Sequence, residues 1–510
     1  MRKHQQRIIL ELLGTMKEAH TVGLYADCQD GALSVGEFIE DNEGEGTKTV
    51  SLLEEYCDLL FQASNGEVSE KQLNKHLVKV ENSVKSELKP NRIEVAFLSY
   101  KASMSDSLET IYLTAKADPS CDAYWIPIPY YERRPDGSVG AMHIEGKECY
   151  SDKFECTDWQ KYNVEARHPE AIFTFSPYDD TNLVTSVHPA FYCERLRNLT
   201  DMLVYVPYFV SADNVSKHFC IVAGCLYAHK VFVQSENIRS YYIQAITDEF
   251  GSKLGNPKDK FVALGTPKFD KVINSKREDF ILPDNWQKLI ADKKVVFYNS
   301  TVGAILKGNT QYLTKLRQVI DYFRNIDDII LWWRPHPLGE ATFTSMRPQL
   351  LDEYKEIISE YINDGWGIYD DTPDLHRAIM WTDAYYGDGG SVWVLYATTG
   401  KSVMIQNPEL NLSLCDSGVS GCDAYLPAEQ IAQDEPHLEL DRLESSLQLR
   451  KIESESCDLR SLIAMLRNGK AKLGHSAEAI SEFLNRFISA SDGTAGQRIY
   501  RYVCDMILGE

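Results

Sequence analysis

Residues 387–391 of this chain read Gly387, Asp388, Gly389, Gly390 and Ser391, set between a short apolar run at 383–386 and a helical run carrying Val392, Trp393, Leu395 and Tyr396. A strand that opens through glycines and a serine onto a helix brings backbone N–H groups and the positive end of a helix dipole to one point. Such a point favours an anion, most often a phosphate. Glycine lets a ligand approach the backbone, and Ser391 can cap the helix or donate to a phosphate oxygen. An ordinary turn between strand and helix is the alternative reading, because glycine-rich turns are weak motifs. A second group closes another apolar run: Trp332, Trp333, Arg334, Pro335, His336 and Pro337. Its prolines stop a strand and stiffen the turn, so Arg334 and His336 are expected to project from the carboxyl end. Arginine offers a fork of donors matched to phosphate, and histidine exchanges a proton near neutral pH.

Two weaker groups accompany these. Asn299, Ser300 and Thr301 follow the apolar run 295–299, where they could line a phosphate site or cap the next helix. Lys268 lies in the turn 265–270, which reads either as a tight interdomain turn or as a means of placing that lysine in a cleft. Asp374 is read as a helix N-cap.

The elements that must carry these residues follow from periodicity. Residues 1–90 read as helical, with apolar faces at Ile8, Leu10, Leu12, Leu13 and Met16, then at 52–61, then at Leu73, Leu77 and Val80. A glycine-rich acidic link falls at 41–46. From about residue 91, short strands alternate with helices at 93–100, 123–129, 171–176, 202–207, 230–234 and 261–264, with a polar excursion at 132–150. Ser105 or Asp106 is expected to start the first helix of this series. A second series runs through 295–299, 329–333, 367–369, 383–386 and 402–405, and from about residue 430 the chain reads as helical and polar. The predicted fold is α/β, with two doubly wound Rossmann-like domains, 91–280 and 281–490, a helical N-terminal region, 1–90, and a C-terminal helix, 491–510. Two α/β domains with a cleft between them suit a nucleotide-activated donor on one side and an acceptor on the other.

Composition narrows the classes. With 44% hydrophobic and 25% charged residues, the 510-residue chain has the balance of a globular protein of several domains. A formal net charge of −22 argues against a broad nucleic-acid surface and against electrostatic attachment to anionic lipid. No apolar run is long enough for a membrane span, and the charged start does not read as a signal peptide, so a cytoplasmic location is expected. The 12 cysteines form no CxxC pair and are expected to be reduced thiols, with no tightly held metal.

The segments GTPKFD at 265–270, RPHP at 334–337, DLHRAIMWTDAYYGDGGSVWVLYATTGKSVM at 374–404 and DGTAGQRI at 492–499 resemble, in order and spacing, the motifs of the CDP-glycerol glycerophosphotransferase family. These are the teichoic-acid polymerase-like enzymes of bacteria, and the resemblance covers about 200–505. It implies a GT-B architecture without a cofactor and transfer of a glycerol-phosphate or related polyol-phosphate unit from a CDP-glycerol-like donor. The acceptor would be a polyol-phosphate, lipid-linked or glycan hydroxyl, in the cytoplasm or at the inner face of the cell membrane, with at most weak peripheral membrane contact.

Position by position, His336 matches the family's catalytic or phosphate-binding histidine, with Arg334 beside it. Gly390 and Ser391 match its Ser-Ser turn, Asp388 its aspartate, and Lys268 its Arg position, with Asp270 retained. The family's W-H-G-T histidine is absent at 204–209, and His218 or His188 stands as the substitute. Two rival expectations share the architecture: a glycosyltransferase using a sugar nucleotide, and a non-catalytic binding protein.

Overall fold

In the computed structural model of the protein, residues 1–134, 136–182, 185–211, 215–308, 310–406, 424–426, 459–468, 488–489 and 491–509 are described. The chain begins with a bundle of four helices, Lys3–His20, Tyr25–Glu43, Lys48–Ser64 and Glu70–Glu87. The first helix buries Ile9, Leu13, Met16 and His20, a stripe at spacings of four and three residues. The face expected from the sequence holds at Leu13 and Met16 and is displaced at Ile8 and Leu12. Ile8 and Leu12 are 42% and 44% exposed, because the stripe that meets the other helices runs through Ile9 and Leu13. Arg2 ties the bundle to the first α/β domain, its Nε 2.9 Å from Glu170 Oε2 and its Nη1 2.9 Å from Glu94 Oε2.

That domain is built on a six-stranded parallel sheet. Its strands are β1 (Ile93–Ser99), β2 (Cys121–Pro127), β5 (Ala171–Thr174), β7 (Met202–Tyr205), β8 (Lys230–Val233) and β9 (Phe261–Ala263), in the order β2-β1-β5-β7-β8-β9. All seven residues of β1 are buried, as a parallel strand covered on both faces requires. The excursion at 132–150 was expected to be turns. It instead joins a small antiparallel sheet of β3 (Tyr130–Arg133), β4 (Val139–His143) and β6 (Thr185–Val187), in the order β4-β3-β6. Much of β4 is exposed, so it lacks the apolar signature that marks the core strands.

The second sheet also has six strands: β10 (Lys294–Asn299), β11 (Ile329–Arg334), β12 (Ile368–Tyr369), β13 (Ala384–Gly387), β14 (Ser402–Ile405) and β15 (Ala424–Leu426). The order is β12-β11-β10-β13-β14-β15, with β14 and β15 antiparallel and every other pairing parallel. Adjacent tryptophans on β11 face opposite ways. Trp333 enters the core formed with helix Thr310–Arg324, and Trp332 the core formed with helix Ser391–Ala397. Two doubly wound, Rossmann-like α/β domains are therefore present.

The helical reading beyond residue 430 lies mostly outside the described residues, which there include helix Leu459–Arg467. The last helix, Ala495–Leu508, returns to the first domain. Asp270 accepts the backbone N–H groups of Ala495 at 2.9 Å and Gly496 at 2.7 Å, and the hydroxyl of Thr110 at 2.8 Å. No described helix is long and apolar enough to cross a membrane.

Candidate functional site

From β10 the chain steps outward to β11 and β12, then crosses back to place β13 on the other side of β10. The boundary between β10 and β13 is thus a topological switch point, with helices Thr310–Arg324 and Ser391–Ala397 on opposite faces of the sheet, the arrangement at whose carboxyl edge such folds bind ligands. Register aligns the strand ends. Asn299 on β10 pairs with Arg334 on β11 and with Gly387 on β13. The turn carrying His336, the loop carrying Ser300 and Thr301, and the turn 388–391 therefore leave three neighbouring strands side by side. Two inter-strand spacings of about 4.8 Å each separate the outer pair.

The close pairing explains one glycine. A Cβ on Gly387 would lie 2.4 Å from Asn299 O and 2.8 Å from Asn299 N, so no side chain fits there. Beyond it, Gly389 and Gly390 are exposed, and Ser391 is the first residue of helix Ser391–Ala397 with Gly390 at the N-cap.

Asp388 sits beneath this turn, 1% exposed. Its Oδ2 accepts from the Thr301 backbone N–H at 2.6 Å, and its Oδ1 accepts from Gln406 Nε2 at 2.6 Å. The motif match makes Asp388 a candidate substrate ligand. In the structure both of its oxygens fasten loops, because a buried carboxylate requires donors. Burial pushes its pKa up to about 6, against the lowering effect of those donors.

The neighbouring loop is similarly engaged. Ser300 Oγ accepts from Trp333 Nε1 at 3.2 Å, and Thr301 Oγ1 accepts from Ala304 N at 3.2 Å, capping the helix that follows. Asn299 Nδ2 donates to Arg334 O at 3.0 Å, while its buried Oδ1 has no partner. Among these three residues, that orphaned acceptor is the atom most suited to a ligand donor.

Arg334 is 5% exposed, with Nη1 3.1 Å from Asp370 Oδ2 and Nη2 donating to Thr372 O at 2.5 Å. Burial lowers its pKa and Asp370 opposes the shift. His336 is half-buried, and its Nδ1 accepts from Leu338 N at 3.0 Å, so the neutral ring carries its proton on Nε2. Burial, then the Arg334 charge, hold this ring below the ordinary histidine range, which keeps it neutral at pH 7.

Lys268 and the first-domain histidines stand apart. Lys268 was a candidate substrate-binding residue of the cleft, but its ammonium is buried against Asp106, 2.7 Å from Oδ1 and 2.8 Å from Oδ2. His376 Nε2 lies 2.9 Å from the same carboxylate, so an aspartate of the first domain joins a lysine and a histidine across the interdomain boundary. Asp106 was also expected to start the helix that follows. Asp106 instead lies within a short 3₁₀ helix, Ala102–Ser107, and helix Glu109–Ala117 has Leu108 at its N-cap.

His218 is exposed and its Nδ1 is 2.8 Å from Ser216 Oγ, a contact within its own segment. His188 caps a short turn by accepting from Ala190 N and stacks on Tyr131. Neither has a partner from the second domain among its described contacts.

Sequence reasoning missed Asp370, which gathers Arg334, Trp332 Nε1 at 3.0 Å and Thr372 at the carboxyl edge of β12. The only local signal was an Asp–Asp–Thr–Pro run following a very short strand. Asp374 caps helix Leu375–Trp381, accepting from His376 N at 3.1 Å and Arg377 N at 3.2 Å, as its spacing predicts.

No family model and no curated protein matches the chain. Solved structures that resemble it include wall teichoic acid polymerase TagF, 12% identical over 90% of this chain and 98% of that one, with a TM-score of 0.46. Another is S. aureus MnaA in a co-structure with UDP, 11% identical over 81% and 97%, with a TM-score of 0.45. A third is the lipopolysaccharide outer core galactosyltransferase WaaB, 9% identical over 80% and 99%, with a TM-score of 0.35. Likeness at this level carries no functional argument, and the domain architecture stands on the strand order itself.

Proposed function

We propose that the second domain holds the diphosphate of a nucleotide-activated donor at the carboxyl edge of β11, β10 and β13. On this reading the protein transfers a glycerol-phosphate or related polyol-phosphate unit from a CDP-activated donor to an acceptor hydroxyl in surface-polymer synthesis. The observation that carries the reading is the alignment of Arg334, Asn299 and Gly387 in one row across a topological switch point. The motif resemblance at 265–270, 334–337, 374–404 and 492–499 supplies the choice of donor.

The chemistry asks little covalent work of the protein. The acceptor oxygen forms a bond to the donor's β-phosphorus, the bond from that phosphorus to the CMP oxygen breaks, and the acceptor's proton leaves to solvent or a base. The backbone at 389–391, bare of side chains at its two exposed glycines, would admit the diphosphate. His336 Nε2–H would donate to an oxygen on which charge grows as CMP leaves. A neutral ring fits that role better than proton delivery, since its pKa lies below the usual value. Arg334, half committed to Asp370, would add positive potential and position the turn.

A second reading has its own observation. Both cations that a donor phosphate would engage, Arg334 and Lys268, sit in buried ion pairs, and the contacts of His218 are local. That arrangement favours a binding protein on the same fold.

Thermal-shift titration with CDP-glycerol, UDP-sugars and GDP-sugars, followed by assay of CMP release, tests both. Stabilisation by CDP-glycerol with His336-dependent release is the expected result. Stabilisation by a sugar nucleotide alone would replace the donor, and binding without release by any acceptor would establish the second reading.

A further inference from the structure

At the amino edge of the first sheet, opposite the carboxyl edge where such domains usually bind ligands, lies an open cavity of about 710 Å³. It is framed by the segments leading into β8 and β9 and by the end of helix Glu236–Phe250. Its volume falls within the range of small-molecule sites, about 300–1,000 Å³. In a chain of net charge −22 its lining is cationic, with Arg197, Lys230, Lys253 and Lys260, beside the imidazole of His229, against the single acid Asp259. Leu226, Phe250 and Leu254 supply an apolar wall, and Leu254 is 40% exposed.

The cations are positioned but not neutralised. Arg197 Nη1 donates to Tyr227 O at 2.6 Å, and Lys230 Nζ donates to Asp259 O at 2.6 Å. Lys260 Nζ donates to Cys225 O at 2.9 Å and Leu226 O at 2.7 Å. Carbonyl oxygens orient an ammonium or guanidinium without cancelling its charge. His229 Nδ1 accepts from Leu203 N at 2.8 Å, which leaves Nε2 to carry the proton of the neutral ring. Burial, and then the Arg197 charge, push Lys260 down to about 8 and His229 down to about 4, with Lys260 adding to the effect on His229. Capping the helix Ala223–Tyr227 accounts for Lys260 and Arg197, and Lys230 and His229 also serve the fold through Asp259 O, the Tyr502 ring and Leu203 N, but these contacts do not account for the cavity they surround.

We propose that this cavity is a second binding site, for a phosphate-bearing ligand with an apolar or aromatic portion, held by Arg197, Lys230, Lys253 and Lys260. Phosphate matches the fork of Arg197 and the point charges of the lysines, and the rest of the ligand lies along Leu226, Phe250 and Leu254. The site is independent of the donor reading, since it uses another domain and the opposite sheet edge.

Calorimetric titration of the full chain with sodium pyrophosphate, in saturating CDP-glycerol so that the proposed donor site is filled, tests it, with flotation on phosphatidylglycerol–phosphatidylcholine vesicles as the second arm. Binding weakened roughly tenfold or more by Arg197→Gln and by Lys253→Glu is expected; a tenfold loss corresponds to about 1.4 kcal/mol. Lys253 is exposed, so its reversal tests the charge without threatening the fold. Bound anion should raise the Lys260 pKa, giving net proton uptake near pH 8 when the titration is repeated in buffers of different ionisation enthalpy. Lys260→Arg should abolish that uptake. Vesicle capture that depends on Lys253 would identify a lipid headgroup as the source, and pyrophosphate binding without capture a soluble ligand. No binding in either arm, or binding that Arg197→Gln and Lys253→Glu leave intact, overturns the proposal.

Discussion

Asp388 Oδ2 accepts the Thr301 backbone N–H at 2.6 Å, so the turn after β13 is fastened to the loop after β10 across the switch point of the second sheet. The other oxygen of the same carboxylate holds Gln406 at the end of β14. One buried acid therefore sets the relative height of three loops at the proposed donor crevice, and its ionisation bears on how the crevice is held.

Asp388 titrates at about 6 in the folded chain, above the ordinary 3.8. Between those values the folded protein binds more protons than the unfolded one. Unfolding free energy should thus fall as pH rises from about 4 to about 6, then level off. Asp388→Asn removes this contribution. Denaturation curves at a series of pH values should show a flatter slope for the variant than for the parent over that window.

Gly387→Ala forces a Cβ to within 2.4 Å of the Asn299 carbonyl oxygen, on backbone that belongs to the adjacent central strand. A loss of about 2–4 kcal/mol is expected, in the range of severe overpacking. Gly14→Ala provides the contrast. Gly14 lies inside helix Lys3–His20 with nothing within 4 Å of its would-be Cβ, so the change should stabilise by about 0.5–1 kcal/mol. Urea denaturation of both variants checks the pair.

Burial alone would raise the Asp106 pKa, but Lys268 and His376 outweigh it and hold the carboxyl well below the usual carboxylate range. Its stabilising contribution is then present above about pH 4, the unfolded value, and is lost progressively as pH falls from there through the depressed folded value. Asp106→Asn leaves a buried ammonium without its counter-charge, and a loss of roughly 3–5 kcal/mol is expected. Calorimetry should also show the two domains unfolding less cooperatively, because Asp106 belongs to one and His376 to the other.

Arg334 and His336 should separate by readout. Arg334→Ala removes the nearer counter-charge of Asp370, which keeps Trp332 Nε1, Thr372 and, at 3.7 Å, Arg377, and is expected to cost roughly 2–3 kcal/mol of stability along with any activity. His336→Gln leaves packing nearly intact, so stability should move by less than about 1 kcal/mol. CMP release should fall about 10²–10³-fold, the magnitude of removing one donor to developing charge. Protonation would cost Nδ1 its bond from Leu338 N and so disturb the turn, and because the ring titrates below the usual histidine range, the acid limb of the activity profile should lie below pH 6.5.

Much of the architecture was written in short-range pattern. Apolar runs of four to seven residues separated by turn residues mark the core strands, and Asp374 announces its helix by position alone. The polar strand β4 was not legible, because its residues lie at the surface and carry no burial signal. Nor was the correct face of the first helix, where Ile8 and Ile9 are equally apolar and only the neighbouring helices decide which is covered.

By itself the sequence determined two α/β halves and the residue types at their turns, since helix and strand periods, prolines and glycines act over a few neighbours. Tertiary structure decided what each charged group does. Lys268 faces Asp106, 162 residues away, Arg334 faces Asp370, and Asp388 faces Thr301 and Gln406. A buried charge must find a counter-charge or donor wherever the fold brings one, and strand order, which no local pattern encodes, determines where that is.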